Sequence, residues 1–324
     1  MAKAALFLLQ LFAAACAGDI NAINTTYGFF FLTLYDKPVP AELVFQQIRR
    51  YHPSPIPIYI LSDVGGADLR YLCGTDLFCT AKNSTLRYAL PGSDHGQDWQ
   101  ETSNQDLLPT TVKKLENLFM EMKIAAQWMK TEYLITMQED VWVNGPLEAQ
   151  DIPLGDVGGI QNPWFQEFAK PAQEYIANKP GAIRMHNPRV IFEPSYYKVF
   201  ALIDCVDRVL HTIDWSTLHT LDRRIGVRWD TVPPVLFALG GYVIRDWRAA
   251  CEHEHPYGSF AIKRHCYEAP LMHQHNNPAF RAIVKLYGMH EDKRIKWNNH
   301  TKLKLVLLKE FDAYIEELKQ KFVK

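Results

Sequence analysis

An excess of charge of either sign is missing from this sequence. Its formal net charge is −1, from 35 Lys and Arg against 36 Asp and Glu in 324 residues. That balance removes the electrostatic case for a nucleic-acid partner or an anionic membrane surface. Long apolar runs are missing beyond Ala17, and no later stretch approaches the ~20 residues that a membrane-spanning helix needs. There is no GxSxG elbow, no HExxH pair and no persuasive pair of carboxylates for glycoside cleavage, which counts against a hydrolase. Cysteines are few, and their spacings repeat no zinc pattern. Neither an internal repeat nor a Pro/Gly/Ser-rich linker divides the chain, so one domain is expected over 18–324. The composition, 48% hydrophobic and 22% charged, is that of an ordinary globular protein. Twelve His, eight Trp and fifteen Tyr are enough to line a polar, aromatic cleft.

The N-terminus is informative. Lys3 precedes an apolar run from Ala4 to Ala15, and Ala15-Cys16-Ala17 supplies small residues at the spacing of a cleavage site. This is the layout of a secretory signal peptide over 1–17, with an uncleaved short anchor as the alternative. Once the leader is cleaved, no stable membrane span is expected. Three Asn-x-Ser/Thr triplets begin at Asn24, Asn83 and Asn299, as befits a glycosylated lumenal or secreted protein. Without Cys16 five cysteines remain, an odd number that cannot all pair within one chain. Cys73 with Cys79, and Cys251 with Cys266, are the local candidates for disulfides in an oxidising compartment. Cys205, in an apolar segment, is expected to be a buried free thiol.

Along the chain, Gly28 to Asp36 is a run of aromatic and β-branched residues that reads as a buried strand. Leu43, Val44, Gln47 and Ile48 fall on one face of a helix over Glu42 to Tyr51, and Ile58 to Asp63 reads as a second strand. Strand, helix and strand at this length form a βαβ unit, the building block of a parallel sheet. Pro91 to Pro109 has the composition of a loop. Leu115, Leu118, Phe119, Met122, Ala126 and Met129 then form one apolar helical stripe, and Glu132 to Met137 reads as a strand ending in Gln138-Glu139-Asp140. Further strands are expected at Asp156 to Gln161 and from Arg189 to Pro194. Helices are expected at Tyr197 to His211 and Val232 to Leu239. Leu308, Phe311, Ile315, Leu318 and Phe322 mark a C-terminal amphipathic helix. The fold class is therefore α/β, with a mostly parallel central sheet flanked by helices.

Ligands of open α/β sheets bind beyond the carboxyl ends of strands, where both Asp63 and Asp140 stand. In QEDV, Gln138 to Val141, a carboxylate that clamps a divalent cation would hold a diphosphate and stabilise it as it leaves. Hard oxygen ligands suit magnesium or manganese. Neighbouring strand residues point to opposite faces, so Glu139 and Asp140 are not expected on the same ion. The competing explanation is a solvated acidic turn.

The segment EYLITMQEDVWVNGPL resembles the strand and Asp-x-Asp turn of GT-A-fold (Rossmann-like) glycosyltransferases, which use nucleotide-diphosphate sugars. The resemblance extends in ordered segments from about Tyr27 to Pro278. It implies that Asp140 ligates the metal, that Glu139 takes the middle position, and that Gln138, a departure from the acidic pattern, faces the donor ribose through its amide. Asp63 then falls where a base or ribose contact is made, unless it only caps a turn. Gly158 and Gly159 would permit close backbone approach. RWDTVPPVLFALGGYVI resembles the acceptor-side segment, which makes Asp230 the base of an inverting enzyme or, alternatively, a helix cap. APLMHQHNNP resembles the segment whose histidine reaches back to the metal, a role that fits His273 better than His275, unless this is a surface loop. His253 and His255 are read as part of an exposed loop, CEHEHP. The resemblance implies a nucleotide-sugar donor, a UDP-sugar first, and Mn2+ or Mg2+. It also implies a glycan or glycoprotein acceptor, in the ER/Golgi lumen or outside the cell. An inactive carbohydrate- or nucleotide-binding protein of the same fold is the other reading, favoured by Gln138.

Overall fold

The computed structural model describes residues 26–33, 38–63, 68–85, 108–139, 141–143, 145–152, 155–161, 173–183, 190–221, 232–252, 269–273 and 313. The leader, Cys266, the segment 86–107 and all but one residue of the expected C-terminal helix lie outside these residues.

The chain opens with the expected βαβ unit. β1 (Tyr27–Thr33) is buried along its whole length, α1 (Pro38–Tyr51) follows, and β2 (Ile58–Ser62) pairs parallel to β1 with Phe29 opposite Ile58 and Thr33 opposite Ser62. The prolines at 38 and 40 suit the first turn of α1, where a backbone N–H has no helical partner. Leu43, Val44, Gln47 and Ile48 are buried, so the face read from the sequence is the packed one. A short helix, α2 (Arg70–Cys73), leads into β3 (Cys79–Asn83), parallel to β2 at the sheet edge. Cys73 and Cys79 are joined by a disulfide, and Cys205 is free and buried, as the sequence led one to expect.

α3 (Leu108–Met129) buries Leu115, Leu118, Phe119, Met122, Ala126 and Met129 against the opposite face of the sheet. It feeds β4 (Tyr133–Gln138), which pairs parallel to β1 on the side away from β2. β6 (Val157–Gln161), β7 (Val190–Lys198) and β8 (Ile244–Asp246) complete a seven-stranded sheet of order β3-β2-β1-β4-β7-β6-β8. β7 is antiparallel to β4 and β6, and the other four pairings are parallel. This is the mostly parallel α/β sheet that the resemblance implied.

Two layers of apolar side chains sandwich the sheet, because alternate strand residues face opposite ways. Phe29, Phe31, Ile58, Ile60, Ile135 and Met137 face α1. Phe30, Leu32, Tyr59, Leu61 and Leu134 face α3, together with α4 (Val199–Asp204), a π-helical turn at Cys205–Val209, and α6 (Val232–Gly240). α5 (Trp215–Leu221) lies between those last two in the chain. One boundary differs from the sequence reading: Tyr197, expected in a helix, belongs to β7. Tyr196 and Tyr197 are both fully buried, one on each face of the sheet, and adjacent aromatic residues fit a two-sided strand better than a helix. The helix begins only at Val199.

Gly158 has a packing reason to be glycine. A Cβ there would lie 2.3 Å from Cε1 of Tyr196, whose ring crosses β6 on its way to an edge-on contact with Trp247. The close approach is made by the protein's own side chain.

Candidate active site

The sheet order creates one topological switch point. From β1 the chain goes through α1 to β2 on one side, whereas β4, entered from α3, lies on the other. Crevices outside the carboxyl ends of such a strand pair are the usual ligand sites of open α/β sheets. Because α1 starts after the carboxyl end of β1 and α3 finishes before the amino end of β4, both helices turn their N-terminal ends toward this edge. Such ends carry partial positive charge and unsatisfied N–H groups.

The side chains at this edge are polar and buried. Thr33 ends β1, Ser62 ends β2 opposite it, and Asp63 follows with its N–H donating to Thr33 O at 3.0 Å. Gln138 ends β4 opposite Leu32, and Glu139 stands in the turn beyond. Thr33, Ser62, Asp63 and Glu139 are each no more than 2% exposed, and Gln138 is half-buried. Alternation divides them. Thr33 and Ser62 continue the α1-facing rows, whereas Asp63 continues the row of Tyr59 and Leu61 toward α3, as Gln138 continues that of Leu134. Glu139 sits between Met137 and Val141, both packed in the α1-side core. The three donor-binding candidates thus meet at one edge, with Asp63 and Gln138 sharing a face, about 12 Å apart across two strand spacings and a two-residue offset along the strands. Thr33 and Ser62 escaped the sequence reading, since a hydroxyl closing an apolar strand carries no signal of its own.

A second, smaller sheet forms beside this edge. β5 (Val141–Val143) follows the QED turn at once and pairs antiparallel to β10 (Leu271–His273), which pairs parallel to β9 (Ala250–Glu252). In that register His273 lies opposite Val141, the residue next to Asp140, and also opposite Glu252. His273 therefore ends a strand, contrary to a surface loop. Cys251 and Glu252, read from sequence as part of an exposed loop, are a strand as well; a three-residue strand has too few positions for alternation to show. His253, His255 and His275 lie outside the described residues.

Asp140 and Asp230 also lie outside them. α6 starts at Val232, carries Pro233 and Pro234 in its first turn and delivers the chain to the amino end of β8, which runs parallel to β6. Its Val232 end is therefore turned toward the end of the sheet where Asp63 and Gln138 stand. Among the described residues no three His, Cys, Asp or Glu side chains gather into a metal site. No helix among them is long and apolar enough to cross a membrane.

Next to the edge, on the α3 side, Lys82 of β3 is held at 2.7 Å by Glu121 of α3, whose other oxygen accepts from Tyr59 Oη at 3.4 Å. At the opposite end of the sheet Tyr27 Oη donates to Leu147 O at 2.8 Å and lies 3.0 Å from Nδ1 of His52. With the phenol proton given to Leu147, Nδ1–H of His52 is the donor to Tyr27. Burial holds the His52 pKa down to about 4, opposed by the Gly145 backbone and helped by the charge of Arg49.

No family model matches this chain, and no curated protein sequence matches it. Among solved structures it is similar to the galactosyltransferase LgtC in complex with donor and acceptor sugar analogs. That likeness has a TM-score of 0.46 and 12% identity, and covers 81% of this chain and 95% of that one. It is also similar to mouse xyloside xylosyltransferase 1, with a TM-score of 0.45 and 10% identity over 78% of this chain and 99% of that one. For the bifunctional glycosyltransferase WbbM the TM-score is 0.42 and the identity 11%, over 80% of this chain and 48% of that one.

Proposed function

We propose that this chain is a GT-A-type, metal-dependent glycosyltransferase. It would move a sugar from a nucleotide-sugar donor, a UDP-sugar first, to a hydroxyl of a glycan or glycoprotein in the secretory pathway lumen or outside the cell. The observation that carries the reading is the polar carboxyl edge at the switch point, where the end of β1, the Asp63 end of β2 and the QED end of β4 converge.

Each part of that edge has a chemical task. Asp63 and Gln138, on one face, would hydrogen-bond the base and ribose of the donor. Glu139, buried in the turn, would shape its backbone. The N-terminal ends of α1 and α3 favour a diphosphate placed between them. The residue types suit a divalent cation: a carboxylate at Asp140 and an imidazole at His273 are a donor set that manganese accepts, and β10 brings the backbone of His273 opposite Val141. Bound there, Mn2+ or Mg2+ would neutralise diphosphate charge. During transfer the acceptor oxygen bonds to the anomeric carbon while the bond from that carbon to the diphosphate oxygen breaks. The hydroxyl proton would go to Asp230 if the reaction inverts.

The test is a panel of nucleotide-sugars scored by thermal stabilisation with and without manganese, repeated on Asp140→Asn. A donor at about a hundred times its Kd stabilises the native state by about 2.7 kcal/mol. Stabilisation by one nucleotide class, enhanced by manganese and reduced in Asp140→Asn, is expected. A folded Asp140→Asn protein with wild-type turnover would overturn the metal assignment. Gln138 in place of an acid favours a second reading, a binding protein without turnover. Manganese-independent donor binding with no donor hydrolysis would select it.

A further inference from the structure

We propose that Asn83 carries an N-linked glycan, a modification independent of whether the chain transfers sugars. Of the three acceptor triplets, Asn83-Ser84-Thr85 is the one that the described residues contain. Asn83 is exposed at the carboxyl end of β3, the edge strand of the sheet, and Thr85 is exposed two residues on. Between them Ser84 is buried and its N–H donates to Ser62 O at 2.7 Å, so the triplet is anchored while its acceptor amide projects outward. The same subdomain contains the Cys73–Cys79 disulfide, which belongs to an oxidising compartment, where N-glycosylation takes place.

The attachment replaces one bond by another. Asn83 Nδ2 bonds to the anomeric carbon of an oligosaccharide carried on a polyprenyl diphosphate. The bond from that carbon to the diphosphate breaks, and the amide proton leaves with the departing polyprenyl diphosphate. The folded protein accommodates the product. Asn83 pairs with Ser62 and so shares its face, whereas Asp63 turns toward α3. A glycan at Asn83 therefore lies on the other face from Asp63 and Gln138.

The experiment expresses the full chain through a eukaryotic secretory pathway and maps Asn83 peptides before and after peptide N-glycosidase treatment. A glycan on the Asn83 peptide is expected, with loss of one glycan's gel shift in both Asn83→Gln and Thr85→Ala. Thr85→Ser should restore the shift, because a serine hydroxyl still completes the triplet. Asn24→Gln and Asn299→Gln identify shifts that come from the other triplets. An unmodified Asn83 peptide in the wild-type chain overturns the proposal, whichever compartment the chain occupies. Donor binding measured on the same preparations stands or falls separately.

Discussion

The two ends of the central sheet close in different ways. At the amino end, polar groups reach distant parts of the chain: Tyr27 bonds Leu147 and His52, and the Arg49 guanidinium bonds the carbonyls of Ile56 and Phe78 and pairs with Asp76 at 2.7 Å. These contacts tie α1, the disulfide loop and the segment after β5 to the bottom of the sheet. At the carboxyl end, Thr33 Oγ1 and Ser62 Oγ are buried without a hydrogen bond among the described residues. A buried polar group without a partner costs about 1–3 kcal/mol, a cost seldom kept without a use. The amino end also has such atoms, Arg49 Nε and His52 Nε2, but they belong to side chains bonded through their other nitrogens, whereas Thr33 Oγ1 and Ser62 Oγ are the sole polar atoms of theirs. The lesson is a division of labour: one end is finished by the protein for its own stability, and the other holds polar groups ready for something else.

The comparison is broken most sharply by Asp230→Asn. If Asp230 is the base, transfer should fall by about 10²- to 10⁴-fold with donor binding little changed. As a mere helix cap it would be replaced almost without effect, since Asn caps as well as Asp. Transfer within a few-fold of wild type would reject the base and reopen a retaining mechanism. His52 yields the next largest effect, at the amino end. Its pKa is near 4 when folded and near 6.5 when free, so between those values the unfolded chain binds the extra proton. Stability should be fully present above about pH 6.5 and fall as the pH drops toward 4, by up to about 1.4 kcal/mol per unit. Urea titrations across that range should show the slope in the wild type and a shallower one in His52→Leu.

Two conservative changes sharpen the contrast further. Tyr27→Phe deprives Leu147 O and His52 of a partner and should cost about 1–3 kcal/mol with turnover unchanged. Ser62→Ala removes a buried hydroxyl that has no partner among the described residues, so stability should hold or rise, by up to about 1–3 kcal/mol. Its cost belongs instead in the KM for the donor. Should Ser62→Ala unfold the protein more than Tyr27→Phe does, the division between the two ends is wrong.

The parts legible in the sequence are those with strong, long patterns. β1, α1, β2, α3 and β4 each carry enough apolar residues for a period to show, and Asp63 and QED could be placed at strand ends before any coordinates. The Cys73–Cys79 pair was legible from nearness alone. The β5–β9–β10 sheet was not, because three-residue strands have no period and the pairing of β5 with β10 joins residues more than a hundred apart in sequence. For the same reason the sequence could nominate His273 but not show it opposite Val141, and it missed Glu252 on the neighbouring strand. Tyr197 was misplaced because the pattern of the helix after it was extended backward over a strand. The split of Asp63 and Gln138 from Thr33 and Ser62 needed the register of β1, β2 and β4, which local pattern does not contain.

The crossing of the Tyr196 ring over Gly158 also bears on how the sheet assembles. β7 runs against both its neighbours, so its alignment with β6 must be chosen among alternatives as the chain folds. A slip that brought Val157 beneath the ring would drive a branched side chain into the space where even a methyl lies 2.3 Å from the ring. A slip the other way, onto Gly159, meets no such clash, but like any one-residue slip it reverses which face of β6 meets the core. The missing side chain at position 158 thus acts as a notch and the tyrosine as its key, and together with the alternation of faces they admit one alignment of the two strands.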